Sequence, residues 1–418
     1  MICELFEVPW EERDQLGFPV PVVGEPVPAT ALSSGLILNE SLREVLNGLT
    51  LVNGQCSVCG NHNGAAGVAK NGKPHQEGIK AKRCEFMQLV RAFACTPVPL
   101  DALERLSAYF ERPRAVDEAL VRDVERLTAA VGAAYDATAP RRLLVPARLL
   151  VNRTARLLEG SMFGSERERL MRCASEGALV IGWLRFNLDE RADARAYFLL
   201  TQELAHETPT PDDLMQARAL GALSCAHSTI YQGGNAAKAF ESAEQANAVL
   251  PEHAPAGVCS WLAIREAVEH AASSDASEYG RLMERAEVAG SQAQSELGLF
   301  GGWDEGVLNG HKGTCLWLLN KSAEAEQILL DGLKHSSLAR PRANMASSLA
   351  GVYTLQDDAE AACTMARQAL GFVLEVKYVV GLQRLLVVRE GFPDDWTELS
   401  YVQELDEQLR VAVRRVGG

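Results

Sequence analysis

From residue 97 to the C-terminus, apolar positions recur at helical spacing, and almost every break between segments carries Gly, Pro, Asn or Asp. Residues 116–135, 141–158, 166–188 and 192–205 read as the first four helices, and the pattern continues in pairs to residue 409. No period-two alternation of a strand stands out. The expected fold class is all-α.

The helix pairs repeat. A small residue sits midway through the first helix of each pair. After the turn, an Ala opens the second helix, a large residue follows four positions later, and a small one three after that. Gly182, Ala194, Phe198 and Thr201 fit this scheme. So do His227, Ala239, Ala243 and Ala246 with a closing Pro251, and Gly233-Gly234-Asn235 at the turn. Ala267, Tyr279, Met283 and Ala286 fit loosely; Gly313, Ala325, Leu329 and Gly332 fit, as do Ala350, Tyr353, Ala362, Ala366 and Ala369. This is the signature of a tetratricopeptide unit. Small residues let two helices, and then two units, approach closely. The spacing between units is irregular, and the competing reading is an irregular bundle with Ala at its interfaces. Five successive matches favour a tetratricopeptide-like helical-repeat solenoid over residues 96–418.

The first part of the chain reads differently. Residues 1–18 form a short helical piece in which Ile2, Leu5 and Phe6 share a face and Pro9 opens a turn followed by acidic side chains. Residues 19–95 form a linker. Prolines cluster between Pro19 and Pro28, and residues 54–78 are rich in Gly, Asn, Lys and Ala without a period.

That linker holds the sharpest chemical motif. Cys56 and Cys59 stand at Cys-x₂-Cys spacing, with His62, His75 and Cys84 beyond them. A zinc knuckle wants a close Cys pair and two further soft ligands. Cys56, Cys59, His75 and Cys84 are the candidate set, with His62 as the alternative histidine. The second pair lacks compact spacing, so the competing reading is two free or redox-active thiols in a loop. If zinc is held here, the purified chain carries about one metal ion, and Cys56→Ser removes it. Metal-free protein, purified without chelator, would exclude the knuckle. A basic cluster, Lys70, Lys73, Lys80, Lys82 and Arg83, lies beside it. No aromatic residues interleave these cations, so a solvated linker is the favoured reading over a nucleic-acid contact.

Charge narrows the partners. Lys and Arg total 41 against 55 Asp and Glu, a net charge of −14. A broad nucleic-acid-binding face would need the opposite balance. No apolar run approaches the roughly 20 residues of a membrane span. The N-terminus is acidic, unlike a signal peptide. Cys173, Cys225, Cys259, Cys315 and Cys363 fall inside apolar periodic stretches, the usage of reduced, buried thiols. A cytoplasmic protein without membrane contact is expected.

Three segments carry a family resemblance: 79–106 (IKAKRCEFMQLVRAFACTPVPLDALERL), 111–135 (ERPRAVDEALVRDVERLTAAVGAAY) and 177–205 (GALVIGWLRFNLDERADARAYFLLTQELA). Together they resemble the bacterial helix-turn-helix (Cro/repressor-like) regulators that carry a C-terminal tetratricopeptide array. Residues 1–18 resemble the closing helices of that family's DNA-binding domain. The resemblance implies a transcription-related regulatory role, with the base-reading helices largely missing from this chain. Direct DNA binding is therefore not expected of these residues; a peptide or protein ligand is, and a homodimer is an open state.

In such solenoids the first helix of each unit lines the concave face. Numbered from the small residues, Trp183, Tyr231, Trp261 and Trp317 fall on groove positions, with Ser224, Ser228, Thr314, Asn344 and Ser347. Three of the six tryptophans on one inner face suit an extended peptide or an apolar ligand. Core filling between units is the competing use of such rings. Arg265 and His311 lie near the same face and could meet an acidic group. Enzyme signatures are lacking: no phosphate-binding lysine loop, no Gly-x-Ser-x-Gly and no His-Glu-x-x-His occur. Glu203, His206 and Glu207 read as a polar helix end rather than an acid–base set. The expected function is thus a non-enzymatic, groove-binding regulatory protein. The alternative is a zinc-binding adaptor that recruits partners to an enzyme or biosynthetic complex.

Overall fold

The structure, a computed structural model, describes residues 99–417 apart from short stretches at 112–115, 137, 160–163, 209, 232, 294–296, 299–300 and 303–304. Up to Val416 these residues belong to one compact unit, Leu89–Val416. The N-terminal helical piece and the linker, with every residue discussed there, lie outside the described residues.

The elements are α-helices in pairs. Their order is α1 (Leu100–Glu111), α2 (Glu118–Ala133), α3 (Pro140–Leu158), α4 (Ser165–Asn187), α5 (Arg191–His206), α6 (Asp213–His227) and α7 (Ala236–Val249). Then come α8 (Ala256–Ala272), α9 (Ala276–Gln292), α10 (Glu305–Leu318), α11 (Ser322–His335), α12 (Ala339–Leu355), α13 (Ala359–Val376), α14 (Val379–Glu390) and α15 (Ser400–Gly417). The fold is an all-α helical-repeat solenoid. One departure from the sequence reading is a minimal antiparallel pair between α9 and α10, Leu297–Gly298 with Gly301–Gly302. Two-residue strands built largely of glycine carry no alternation to read.

The repeat is visible in the backbone as well as in the side chains. Asp189, Ser274, Asn320 and Asp357 each adopt positive φ, near 60°, in the turn between the two helices of a pair. In each turn the next residue's N–H reaches back to a carbonyl of the first helix: Glu190 to Arg185, Asp275 to His270, Lys321 to Leu316 and Asp358 to Tyr353, at 2.9–3.0 Å. This is a six-to-one Schellman closure, and Asp and Asn tolerate the left-handed region better than most residues. Asp275 and Asp358 then cap the second helix by accepting from the N–H of Glu278 and Ala361.

Close approach explains the small residues. A Cβ on Gly182 would overlap the Phe198 ring, and one on Gly313 would overlap Leu329. Ala194, Ala239, Ala243, Ala267, Ala286, Ala325, Ala350, Ala362 and Ala366 are all buried. The core runs from unit to unit, and around the middle of the array Ile264, Leu282, Met283, Leu316, Leu329 and Leu349 share one cluster.

The two helices of each pair serve different layers. Each of α2, α4, α6, α8, α10, α12 and α14 packs on the next in that series. Among the described residues, the partner helices α3, α5, α7, α9, α11 and α13 pack on one another far less, if they touch at all. The first helices are therefore the inner, crowded layer and the second helices the splayed, outer one. The inner layer curves far enough that α14 touches α4.

A second contact joins positions about 200 residues apart. Arg340, at the start of α12, is buried against the turn after α2. Its Nη1 donates to the Tyr135 carbonyl at 2.8 Å, its Nη2 to the Thr138 carbonyl at 3.1 Å, and its guanidinium stacks 4.5 Å from the Tyr135 ring centre. A cation at the C-terminal end of a helix is favoured by the helix dipole. Asp136 faces Arg340 at 3.3 Å, yet its other oxygen is buried without a partner among the described residues. Burial pushes its carboxyl up to about 6, against the pull of Arg340. The folded pKa thus exceeds that of an unfolded aspartate, about 3.9. The stabilising contribution of the bound proton is present below that value and is lost as pH rises through about 6. Urea denaturation at a series of pH values should show that Asp136→Asn flattens this part of the stability profile. An unchanged slope would show that Asp136 titrates normally. Among the described residues, no helix is long and apolar enough to cross a membrane.

Candidate functional site

The inner helices carry two adjoining groups of side chains. The first is aromatic. Trp183 on α4 meets Trp261 on α8 edge to face, with ring centres 6.1 Å apart. It also meets Phe186 at 5.6 Å, and Phe186 meets Tyr231 at 5.3 Å. Trp183, Trp261 and Tyr231 are partly open to solvent, whereas Phe186 is buried. Gly221 on α6 lets the Trp261 ring lie flat, since a Cβ there would come within 2.7 Å of it. Tyr231 differs from its helical register: it sits in the long turn after α6, with the Arg191 guanidinium 5.1 Å over its ring.

The second group is polar and cationic. Arg265, one turn beyond Trp261 on α8, is 2 % exposed and pairs with Glu269, itself 1 % exposed, at 2.7 Å. The Arg265 Nε has no acceptor among the described residues. Arg384 on α14 is 8 % exposed. Its Nη2 donates to Ser348 Oγ at 2.6 Å and to Thr314 Oγ1 at 3.3 Å. Those two hydroxyls lie 3.0 Å from each other. His311 on α10 is partly open but deeply set. Burial and then the neighbouring Arg265 and Arg384 push its imidazole down to about 3, so the ring is neutral at physiological pH. Asn344 Nδ2 donates to the Tyr378 hydroxyl at 3.5 Å, and Tyr378 is buried at the head of α14.

Electrostatics tie the two groups into one neighbourhood. The Tyr231 phenol is raised by burial and by Tyr378 and Cys225, and is lowered by Arg384 and Arg265. Burial also pushes Cys315 up to about 12 and raises Cys225. These thiols and phenols are neutral, so they add dipoles and no charge. Cys173, Cys225, Cys315 and Cys363 are buried free thiols, and Cys259 is partly buried.

Of the seven groove residues named from sequence, Trp183, Tyr231 and Trp261 fall in the aromatic group and Arg265, His311 and Asn344 in the polar one. Trp317 stands apart. Its ring lies against Gly351 of α12, where a Cβ would come within 2.5 Å, and it packs on the core cluster. That is the packing of a core side chain. The buried hydroxyls of Ser224 and Ser228 have no partner among the described residues, while Ser347 Oγ donates to the Ala343 carbonyl at 2.8 Å. Sequence reasoning passed over Arg384, although a lone cation inside the apolar run of α14 (VVGLQRLLVV) is a legible signal. Tyr378 and Arg340 left no comparable trace.

The zinc candidates Cys56, Cys59, His75 and Cys84 lie outside the described residues, as does the basic cluster. Among the described residues, no group of three His, Cys, Asp or Glu side chains is placed to hold a metal ion. Glu203 and His206 belong to the last turn of α5, and Glu207 follows as its cap. No protein-family model matches the chain, and no curated protein matches it.

Proposed function

We propose that this chain is a non-enzymatic tetratricopeptide-repeat regulatory protein that holds an extended peptide or an apolar ligand on its inner face. The observation that carries this reading is the partly open aromatic string of Trp183, Trp261 and Tyr231, joined through Phe186, on the crowded layer of helices. Phe186 and Phe198, which fill the core behind them, are covered, and Trp317, equally half-buried, stands apart from this string against the core cluster. Open aromatic faces beside buried polar groups are what a ligand pocket offers.

A regulatory role suits the construction. A ligand wedged between α4 and α8 changes the rotations between adjoining units, and the contacts of Arg340 with the α2 turn and of α14 with α4 must take up that change. The link to transcription rests on the resemblance of residues 79–106, 111–135 and 177–205 to helix-turn-helix regulators.

Selection of extended peptides from a displayed random library, read by tryptophan fluorescence, tests this proposal. Selected peptides should quench or shift the emission of the wild type. Trp261→Ala should weaken them by at least about tenfold, the effect of losing one aromatic hot spot. Selected peptides that bind Trp261→Ala and Trp183→Ala as tightly as the wild type would overturn the reading.

A further inference from the structure

We propose that the ligand of the inner face carries an oxyanion, a carboxylate or a phosphate, and that Arg384 is the residue that receives it. The inference rests on the groove reading above and makes it chemically specific.

The argument is a charge balance in a buried place. Arg265 and Glu269 neutralise each other at 2.7 Å, and both are almost fully buried. His311 is neutral, as are the surrounding phenols and thiols. Arg384 is left over. It is more than nine-tenths buried, and its hydrogen-bond acceptors among the described residues are two hydroxyls, Ser348 and Thr314. No carboxylate pairs with it there. Every other strongly buried arginine of the array has an acidic or carbonyl partner or an aromatic ring: Arg265 has Glu269, Arg340 has Asp136 and two backbone carbonyls, and Arg153 lies over Phe110.

A guanidinium more than nine-tenths buried without a counter-charge is unfavourable, and the two hydroxyls, with the solvent that still reaches its free nitrogens, offset only part of the cost. A side chain serving packing alone in this run of Val and Leu would be apolar. In a chain of net charge −14, a cation kept buried and unneutralised on the inner face is out of keeping with its surroundings. A bound oxyanion would supply the missing charge. It would also find donors ready: only Nη2 of Arg384 is engaged, which leaves Nε and Nη1 without acceptors among the described residues. The aromatic string comes nearest this point at Tyr231, whose phenol feels both Arg384 and Arg265 and whose ring meets Phe186 at 5.3 Å, so the ligand has an apolar part and an anionic end.

The test uses simple amphiphiles on the full chain: octanoate, octyl phosphate, octanol and octylamine, with inorganic phosphate alone. Binding is read by tryptophan fluorescence and by the shift in thermal midpoint. In the wild type, at least one of octanoate and octyl phosphate should bind saturably and at least about tenfold more tightly than octanol, with octylamine weakest. Which of the two anions binds better assigns the oxyanion. Inorganic phosphate should protect measurably if the anionic end dominates.

Arg384→Met should abolish the preference for the anion. Its ligand-free thermal midpoint should equal or exceed that of the wild type, because an uncompensated charge has been removed. Arg384→Gln supplies a second replacement. Should neither variant fold, the wild-type selectivity still decides: equal binding of octanol and both anions overturns the proposal. Retained anion preference in a folded Arg384→Met overturns it too. If octanol and octanoate bind alike and Trp261→Ala weakens both, the groove reading stands and the anion proposal fails. If nothing binds and no peptide is selected, both fail.

Discussion

Glu269→Ala should destabilise the array by about 3–5 kcal/mol, the cost of leaving one partner of a buried ion pair alone. Glu269 and Arg265 are 1 % and 2 % exposed, so water cannot replace the lost carboxylate without opening α8 from its neighbours. Arg265 already has one nitrogen without an acceptor, and Cys225 and Cys315 beside it are neutral. Arg384 stands in the same neighbourhood, so the variant would hold two unneutralised cations close together. Urea denaturation reads the effect as a lower midpoint at unchanged slope. A loss below about 1 kcal/mol would show that the pair is solvated and the inner face open there. Replacing both residues, Arg265→Met with Glu269→Leu, should recover most of the loss, because matched apolar groups avoid the desolvation penalty altogether. The two effects of Glu269→Ala have opposite signs for binding and stability: the array weakens while its affinity for an oxyanion rises.

Phe198→Ala should cost about 3–5 kcal/mol, the range for emptying an aromatic site in a packed core. Phe198 is 0 % exposed. Its ring occupies the space left by the missing Cβ of Gly182 and meets Trp183 edge to face at 5.3 Å. The cavity cannot collapse easily, since α4 and α5 are held by the turn at Asp189 and by Ser175 Oγ donating to the Thr201 carbonyl at 3.0 Å. The complementary change, Gly182→Ala, should cost about 1–3 kcal/mol by overpacking, despite the better helix propensity of Ala. The two sites touch, so the double variant should be less unstable than the sum of the single ones. Hydrogen exchange should show protection falling first in α4 and α5, because stability in a repeat array is largely local. Uniform loss across all units, or a loss below about 1 kcal/mol, would contradict this account. Phe198→Ala should also release the Trp183 ring and weaken binding on the inner face.

The Gly182–Phe198 and Gly313–Leu329 contacts show what the sequence could reveal. Where two helices cross so closely that a Cβ has no room, the constraint is local and recurs at fixed spacing, so it can be read from one chain. The turns are legible for the same reason: Asp189, Asn320 and Asp357 are residues that accept the left-handed region. The inner face was harder. Helical register places Trp183 and Trp261, but Tyr231 leaves its helix because the α6–α7 turn is longer than the three-residue turns of α4–α5, α8–α9, α10–α11 and α12–α13. Trp317 sits at an equivalent position and packs on Gly351 in the core, because the neighbouring unit offers it a glycine. Arg384 stands out within its apolar run, but what it and Arg340 meet depends on something no local pattern encodes, the rotation accumulated over several units. That angle decides which helix of a distant unit comes round to meet which.

Arg340 also changes what kind of object the array is. A stack of units joined only in sequence has a free end, and a twist at one joint is simply carried outward. Here α12 is fastened to the turn after α2, and α14 rests on α4. A circuit of joints must return to its starting point, so a twist inserted at one of them has to be undone among the others or break the fastening. The contact of Arg340 with Tyr135 and Thr138 is then a seam. Closing a loop of about 200 residues is entropically unfavourable, growing slowly with length, so the seam forms after the units have stacked and opens before they part. Whatever is wedged into the inner face between α4 and α8 is felt at that seam, two helices before α4 and four after α8 along the chain.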